Sequence, residues 1–294
     1  MHYFDHKGEI EITGADEFDL VKTFECGQCF RWNADENGRY TGVAFGSATR
    51  LRRNGGSVFI SCSQEDFENI WRGYFDLDRD YSEIRRGLCI DDYMSKACGF
   101  GAGIRLLKQD KWEALCSFII SQCNNIPRIK KIVSSLCFEF GDRFECRFAQ
   151  PGPGESAGVY PNVEETAEFY TFPSAARLAA LTADDLAPIR CGYRAAYIIN
   201  AAKAITGGEP DLDALSRGAP DDARAALKKL HGVGSKVADC AVLFGLHMLD
   251  SFPLDVWMKR AVAEHYGSGF DPSVFSPYAG LAQQYMYYYA RSQG

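Results

Sequence analysis

The sequence has no run approaching the roughly 18–20 consecutive apolar residues of a membrane-spanning helix, so no membrane span is expected. Its opening, MHYFDHKGEIEI, lacks a basic start, an apolar segment and a small-residue cleavage site, and no secretory signal is read there. Positive charge is in short supply: 32 Lys and Arg stand against 39 Asp and Glu, a formal −7. That balance weighs at first sight against a nucleic-acid partner, because phosphate affinity comes chiefly from Lys and Arg. The 11 cysteines are odd in number and scattered from Cys26 to Cys240, which in a chain this long indicates buried or free thiols and not a disulfide frame. Cys26 and Cys29 form an isolated CxxC with no second pair at zinc-site spacing, so no metal is expected. What is plentiful is apolar surface: 46% hydrophobic residues over 294 positions exclude wholesale disorder and suffice for a sizeable core.

Residues 1–60 read as short extended segments, namely EIEI, Phe30–Trp32, RYTGVAF, TRLRR and SVFIS, separated by the turn clusters DENG and RNGG. From Gln64 the period becomes helical, with Phe67, Ile70, Trp71 and Tyr74 on one face. Beyond residue 95 nearly every segment is helical. The expected fold class is therefore α+β: an N-terminal antiparallel β-sheet domain over residues 1–96, then a mainly α-helical, two-lobed region over 97–294. The run 149–168, rich in Gly, Pro and Glu, is expected to be an inserted surface loop, with an inter-domain linker as the alternative. The negative charge is concentrated, with nine acids against four bases in 60–95 and six against one in 155–185. Residues 190–260 hold ten bases and eight acids, and Arg128, Lys130 and Lys131 add a basic cluster, so a local basic face is compatible with an acidic whole.

Residues 227–260, LKKLHGVGSKVADCAVLFGLHMLDSFPLDVWMKR, carry the most chemistry. LKKLHGVGSKVAD reads as a helix, a Gly-x-Gly hairpin at Gly232 and Gly234, and a second helix from Ser235. Glycine permits the tight turn and lets a phosphate approach the backbone, while the N–H groups opening the second helix attract an anion. The alternative is a glycine-terminated helix in an ordinary αα-hairpin. Asp255 likewise has the plain reading of an N-cap for DVWMKRAVAEHY.

The order of hairpin, exit lysine and Asp after a Pro-containing loop resembles the helix–hairpin–helix DNA glycosylase superfamily. In that superfamily the lysine matching Lys236 is the nucleophile and the Asp matching Asp255 the essential carboxylate. The chemistry suits both: a neutral amine attacks the anomeric carbon, the resulting Schiff base permits β-elimination, and a carboxylate stabilises positive charge growing on the sugar. GQCFRW at 27–32, GIRLLKQDKWEALCSFIISQCNNIPRI at 103–129, FPSAARLAAL, CGYRAAYI and PYAGLAQQYMYYYA at 277–290 extend the resemblance over nearly the whole chain, toward the 8-oxoguanine DNA glycosylases.

That resemblance implies excision of 8-oxoguanine from duplex DNA, with cleavage at the resulting abasic site. It implies that Gly27 accepts the N7–H found only in the oxidised purine, that Gln283 reads the Watson–Crick edge, and that Cys240 and Tyr287 sandwich the flipped base. Wedge and opposite-base contacts map to Asn124, Asn125, Arg128, Tyr193 and Arg194, and further DNA contacts to His231, Gly232, Gly234 and Trp257. Three positions depart from the family pattern: Cys123 begins the triplet that is otherwise Asn-rich, so recognition of the opposite cytosine through that first Asn is lost, and Trp257 and Tyr287 replace the His and Phe of the eukaryotic enzymes. Related glycosylases hold an iron–sulfur cluster with four cysteines after the catalytic Asp, whereas none here follows Cys240. The implied enzyme needs no cofactor and no iron–sulfur cluster, with at most a monovalent cation at the hairpin. Its implied partner is double-stranded DNA holding an oxidised purine, met as a monomer without a membrane, in the cytoplasm, nucleoid or nucleus. The alternatives are a glycosylase for another damaged purine and a non-catalytic helix–hairpin–helix DNA-binding protein.

Overall fold

A computed structural model describes residues 1–149 and 164–293. The first unit is a six-stranded antiparallel sheet of β1 (His2–Asp5), β2 (Ile10–Thr13), β3 (Trp32–Ala34), β4 (Tyr40–Ala44), β5 (Ser47–Asn54) and β6 (Ser57–Ile60), in spatial order β1-β2-β6-β5-β4-β3. The expected extended segments are there with shifted edges: β3 starts at Trp32 where Phe30–Trp32 was expected, and β1 adds a strand the sequence did not signal. One face buries Ile10, Ile12, Leu51, Val58 and Ile60 at alternate positions, as a half-buried sheet requires. Against it pack α1 (Leu20–Glu25) and the helical stretch 64–74, where Phe67, Trp71 and Tyr74 are buried as their spacing indicates. Phe24 and Trp32 stack at 4.2 Å, closing that core.

The second core is helical. It is built from α2 (Tyr81–Leu88), α3 (Asp92–Phe100), α4 (Lys111–Ile120), α5 (Ile126–Phe140), α6 (Arg194–Thr206), α7 (Pro220–Leu227), α8 (Ser235–Cys240), α9 (Val256–His265) and α10 (Ala279–Gln293), with shorter helical turns between. The helix expected over SKVADCAVLFGLHML changes to a π-turn at Ala241–Gly245 and ends there. Part of the acidic excess does local work at helix starts: Asp19, Asp80, Asp91, Asp110 and Asp255 each accept an N–H of the following turn. A carboxylate at that end also meets the positive pole of the helix dipole.

The run 149–168 needs correction as a loop. Glu164–Tyr170 is a strand, β8, paired antiparallel with β7 (Arg143–Ala149), while residues 150–163 lie outside the described ones. The acid-rich composition hid it. Alternation places Ala167 and Phe169 against Phe148, Val43 and Ala48; Glu168 on the other face meets Arg143, while Glu165, on the same face as Phe169, pairs with Arg50 at 2.9 Å at the edge of this small core.

Candidate active site

The hairpin forms as its glycines require. Leu230 N–H and Val233 N–H donate back to Leu227 and Leu230 carbonyls, and Gly232 sits at φ +84°. A Cβ there would lie 2.2 Å from the Tyr197 ring, so position 232 needs glycine twice over. Gly234 opens α8 without a side-chain cap, and nothing lies within 4 Å of where its Cβ would be. The first amides of α8 thus emerge beside open space, flanked by exposed Lys228, Lys229 and His231.

Lys236 in the first turn of α8 and Cys240 at its end stand at i and i+4 on a single face. They reach a narrow cavity of about 50 Å³ lined also by Gly27, Phe118, Asp255, Gln283 and Tyr287. The Lys236 Nζ donates to Ser121 Oγ at 3.1 Å and lies 5.3 Å from the centre of the Phe118 ring. Burial pushes the Cys240 thiol up to about 11, against the opposing influence of Lys236, so it stays a neutral thiol at physiological pH. Asp255 holds both of its readings at once, since Oδ1 caps α9 through Met258 N–H at 2.9 Å while the residue lines the cavity.

The opposite wall comes from α10 and from the turn after α1. Gln283 and Tyr287 are again i and i+4, and Gln283 is 4% exposed with its Oε1 lacking any hydrogen-bond partner. Such an orphaned acceptor is costly in the free protein and suits a ligand that supplies an N–H. Gly27 has φ +86°, and a Cβ on it would point at the Tyr287 hydroxyl and Ile126, 3.6 Å from each. Its neighbours are pinned: Gln284 Nε2 donates to the Cys26 carbonyl at 2.9 Å, and buried Gln28 donates to the Thr23 and Arg105 carbonyls while accepting from Leu107 N–H.

A family model described as the N-terminal domain of 8-oxoguanine DNA glycosylase matches residues 11–115. The N-glycosylase/DNA lyase of Saccharomyces cerevisiae is 30% identical over 284 residues, covering 88% of this chain and 71% of that protein. The chain belongs to the 8-oxoguanine DNA glycosylase family. Among solved structures, MBOgg1 in complex with a low-affinity DNA ligand is 38% identical with a TM-score of 0.87, each chain covered completely. The Clostridium acetobutylicum 8-oxoguanine glycosylase/lyase, in complex with double-stranded DNA containing cytosine opposite 8-oxoguanine, is 34% identical with a TM-score of 0.86 over 100% of this chain and 98% of that one.

In this glycosylase the other sequence-derived residues fall into two groups. Asn124, Asn125, Arg128 and Tyr193 gather near the turn between α4 and α5. Asn125 caps α5 through Arg128 N–H at 3.0 Å, Arg128 is exposed, and Tyr193 is 53% exposed. Cys123, at φ +48°, heads this turn on the surface. Arg194 and Trp257 are placed otherwise. Arg194 is 5% exposed and its guanidinium bonds the backbone carbonyls of Gln122, Cys123 and Cys191, so it grips the turn from behind and presents no open fork to a base edge. Trp257 lines a separate groove with Tyr93, Arg260, His265 and Tyr289. Of the basic cluster, Lys130 is turned inward to Glu25 at 3.1 Å and the Trp32 carbonyl at 2.8 Å.

Sequence reasoning missed Ser121, Phe118 and Gln284, which hold the lysine and the glycine turn. The only signal for Ser121 was its place in the stretch resembling the family; its contact with Lys236 spans 115 positions. Among the described residues, no group of three or more His, Cys, Asp or Glu is arranged to hold a metal ion, and no helix is long and apolar enough to cross a membrane.

Proposed function

We propose that this chain is a base-excision repair glycosylase that flips 8-oxoguanine out of duplex DNA, removes it through Lys236, and cuts the abasic strand by β-elimination. The observation that carries this is the convergence on one cavity of an amine, a carboxylate, a buried unpaired amide oxygen and a glycine turn drawn from four distant segments. A base within the stack is out of reach, so it is extruded first. Gln283 then meets its Watson–Crick edge, the Gly27 carbonyl accepts the N7–H, and Cys240 and Tyr287 face its two sides. The Lys236 amine bonds to C1′ as the glycosidic bond breaks. The electron pair leaves with the base, which takes up a proton, and the amine gives one up. Asp255 stabilises the positive charge that develops on the sugar. Opening of the sugar ring yields the imine, and loss of a C2′ proton then expels the 3′ phosphate.

Arg128, Asn124, Asn125 and Tyr193 face the opposite strand and the vacated stack in this reading, and the first amides of α8 with Gly232, Gly234 and His231 meet a phosphate. Trp257 extends that contact along α9. The hairpin turn at 228–234 contains no acid and offers backbone carbonyls, donors suited to a monovalent cation, and no step depends on one. The enzyme acts as a monomer on chromosomal DNA, in a nucleoid or a nucleus. Borohydride treatment during reaction with an 8-oxoguanine duplex traps the imine as a covalent adduct, which Lys236→Gln abolishes. An adduct undiminished in Lys236→Gln overturns the nucleophile, and duplex binding by the unaltered protein without base release overturns the reaction.

A further inference from the structure

We propose that Ser121 is the positioning residue for the Lys236 amine and that Arg194 holds Ser121 in place from the far side; this rests on the function proposed above. A lysine amine rides on a flexible four-carbon stem, and an unheld one is spread over many rotamers. Here Ser121 stands at the C-terminal end of α4 with its N–H bonded to the Ser117 carbonyl at 2.9 Å. Its hydroxyl donates to the Phe118 carbonyl at 2.8 Å, which commits the hydroxyl proton and leaves the oxygen only its lone pairs to offer Lys236. Nζ takes that offer at 3.1 Å, with the Phe118 ring face as the second surface that restrains it.

The chain then bends away at once. Gln122 and Cys123 give their carbonyls to the buried Arg194, which bonds Cys191 as well, and Cys123 adopts φ +48°. Ser121 is therefore fixed by a helix end before it and an arginine clamp after it. The next residues, Cys123 to Asn125, form the surface turn read above as meeting DNA. One short segment thus carries the nucleophile's support on one side and the DNA-facing turn on the other. Its contribution lies in where the amine points once DNA is bound, and not in how tightly DNA is held.

The test compares single-turnover base release from an 8-oxoguanine duplex with affinity for a duplex carrying an uncleavable tetrahydrofuran abasic analogue. Ser121→Ala is expected to slow release by about tenfold or more while leaving that affinity within about twofold, and Ser121→Thr, which keeps the hydroxyl, to restore most of the rate. A wild-type rate in Ser121→Ala, equal losses in the Ala and Thr variants, or a loss confined to affinity each overturns the assignment. Failure of the unaltered enzyme to release 8-oxoguanine would instead count against the underlying function, so the two failures are distinguishable.

Discussion

Gln283→Met is expected to make the free protein more stable and the enzyme worse. Gln283 is 4% exposed and its Oε1 has no partner, so the folded state bears the cost of a buried, unsatisfied acceptor, about 1–3 kcal/mol. The adjoining cavity, about 50 Å³, has room for a water molecule that recovers part of this. Methionine keeps the length and flexibility of the side chain, so little volume is lost. The net gain is about 1 kcal/mol, or a rise of about 2–4 °C in Tm for a chain of this size. With DNA bound the sign reverses, because the variant has no acceptor or donor for the edge of the flipped base. Loss of one or two such bonds lowers kcat/KM for 8-oxoguanine release by about tenfold or more. Thermal melts of the free variant and single-turnover release are the two assays. A fall in Tm would show that the amide is structural, and unchanged release would show that it does not read the base.

Gly232→Ala combines positive-φ strain with a Cβ 2.2 Å from the Tyr197 ring, and is expected to cost about 3 kcal/mol in thermal or urea unfolding. Gly234→Ala, in open space at φ −83°, is expected to change stability by less than about 0.5 kcal/mol while weakening duplex affinity, which separates the fold role of one glycine from the binding role of the other. Asp76 is 3% exposed; burial acts to raise its pKa, but His247 at 3.5 Å, Lys108 at 2.9 Å and Arg79 at 2.6 Å outweigh burial and hold the carboxyl well below the usual range. A carboxyl depressed on folding contributes stability at pH values above its unfolded pKa, about 3.9, and loses it as pH falls through the folded value. Asp76→Asn is therefore expected to cost about 3–5 kcal/mol at pH 7 and progressively less below about pH 4, as followed by urea titrations across pH. With Lys130 turned inward and Arg224 paired to Asp221 and Asp239, the exposed bases around the cavity include Arg128, Lys228, Lys229 and Arg291. Four phosphate contacts by these bases would give non-specific duplex binding a slope of log K against log salt near about −4, and a slope steeper than about −8 would contradict this placement.

The parts of the site that were legible in the sequence are those set by local spacing. Lys236 with Cys240 and Gln283 with Tyr287 share faces because four residues make about one helical turn. Gly232-x-Gly234 declared a turn because few other residues tolerate it. Among the four tyrosines near the end of α10, helix phase alone decides which faces the cavity: Tyr285 is fully buried beneath it, Tyr288 and Tyr289 turn toward Phe100, and Tyr287 is left. What stayed hidden depends on long-range partners. Arg194 read as a DNA-facing arginine because nothing local reveals that three carbonyls surround it. The strand Glu164–Tyr170 read as loop because its acids look solvent-bound until arginines on β7 and β5 are opposite them. The −7 total looked hostile to DNA for a similar reason, since the sequence shows the carboxylates but not that many of them cap helices or pair with arginines in the fold.

The cavity size bears on how the lesion is admitted. At about 50 Å³ it is several-fold smaller than the roughly 300 Å³ at which small-molecule pockets begin, so a purine enters only if a wall moves. Three walls resist. Cys240 is 4% exposed at the junction of α8 with its π-turn, the Gly27 turn is bolted by Gln28 and Gln284, and Gln283 is packed within α10. Tyr287 is only partly buried, with the exposed Arg291 guanidinium 5.4 Å from its ring. Of these side chains Tyr287 is the one expected to swing aside as a base enters, since Cys240 and Gln283 are buried. Base selection and cavity opening then fall to different parts of the wall. In the function proposed above, the buried side carries Gly27 and Gln283, assigned there to distinguish the lesion, and the other side carries the Tyr287 ring, assigned there to face the base.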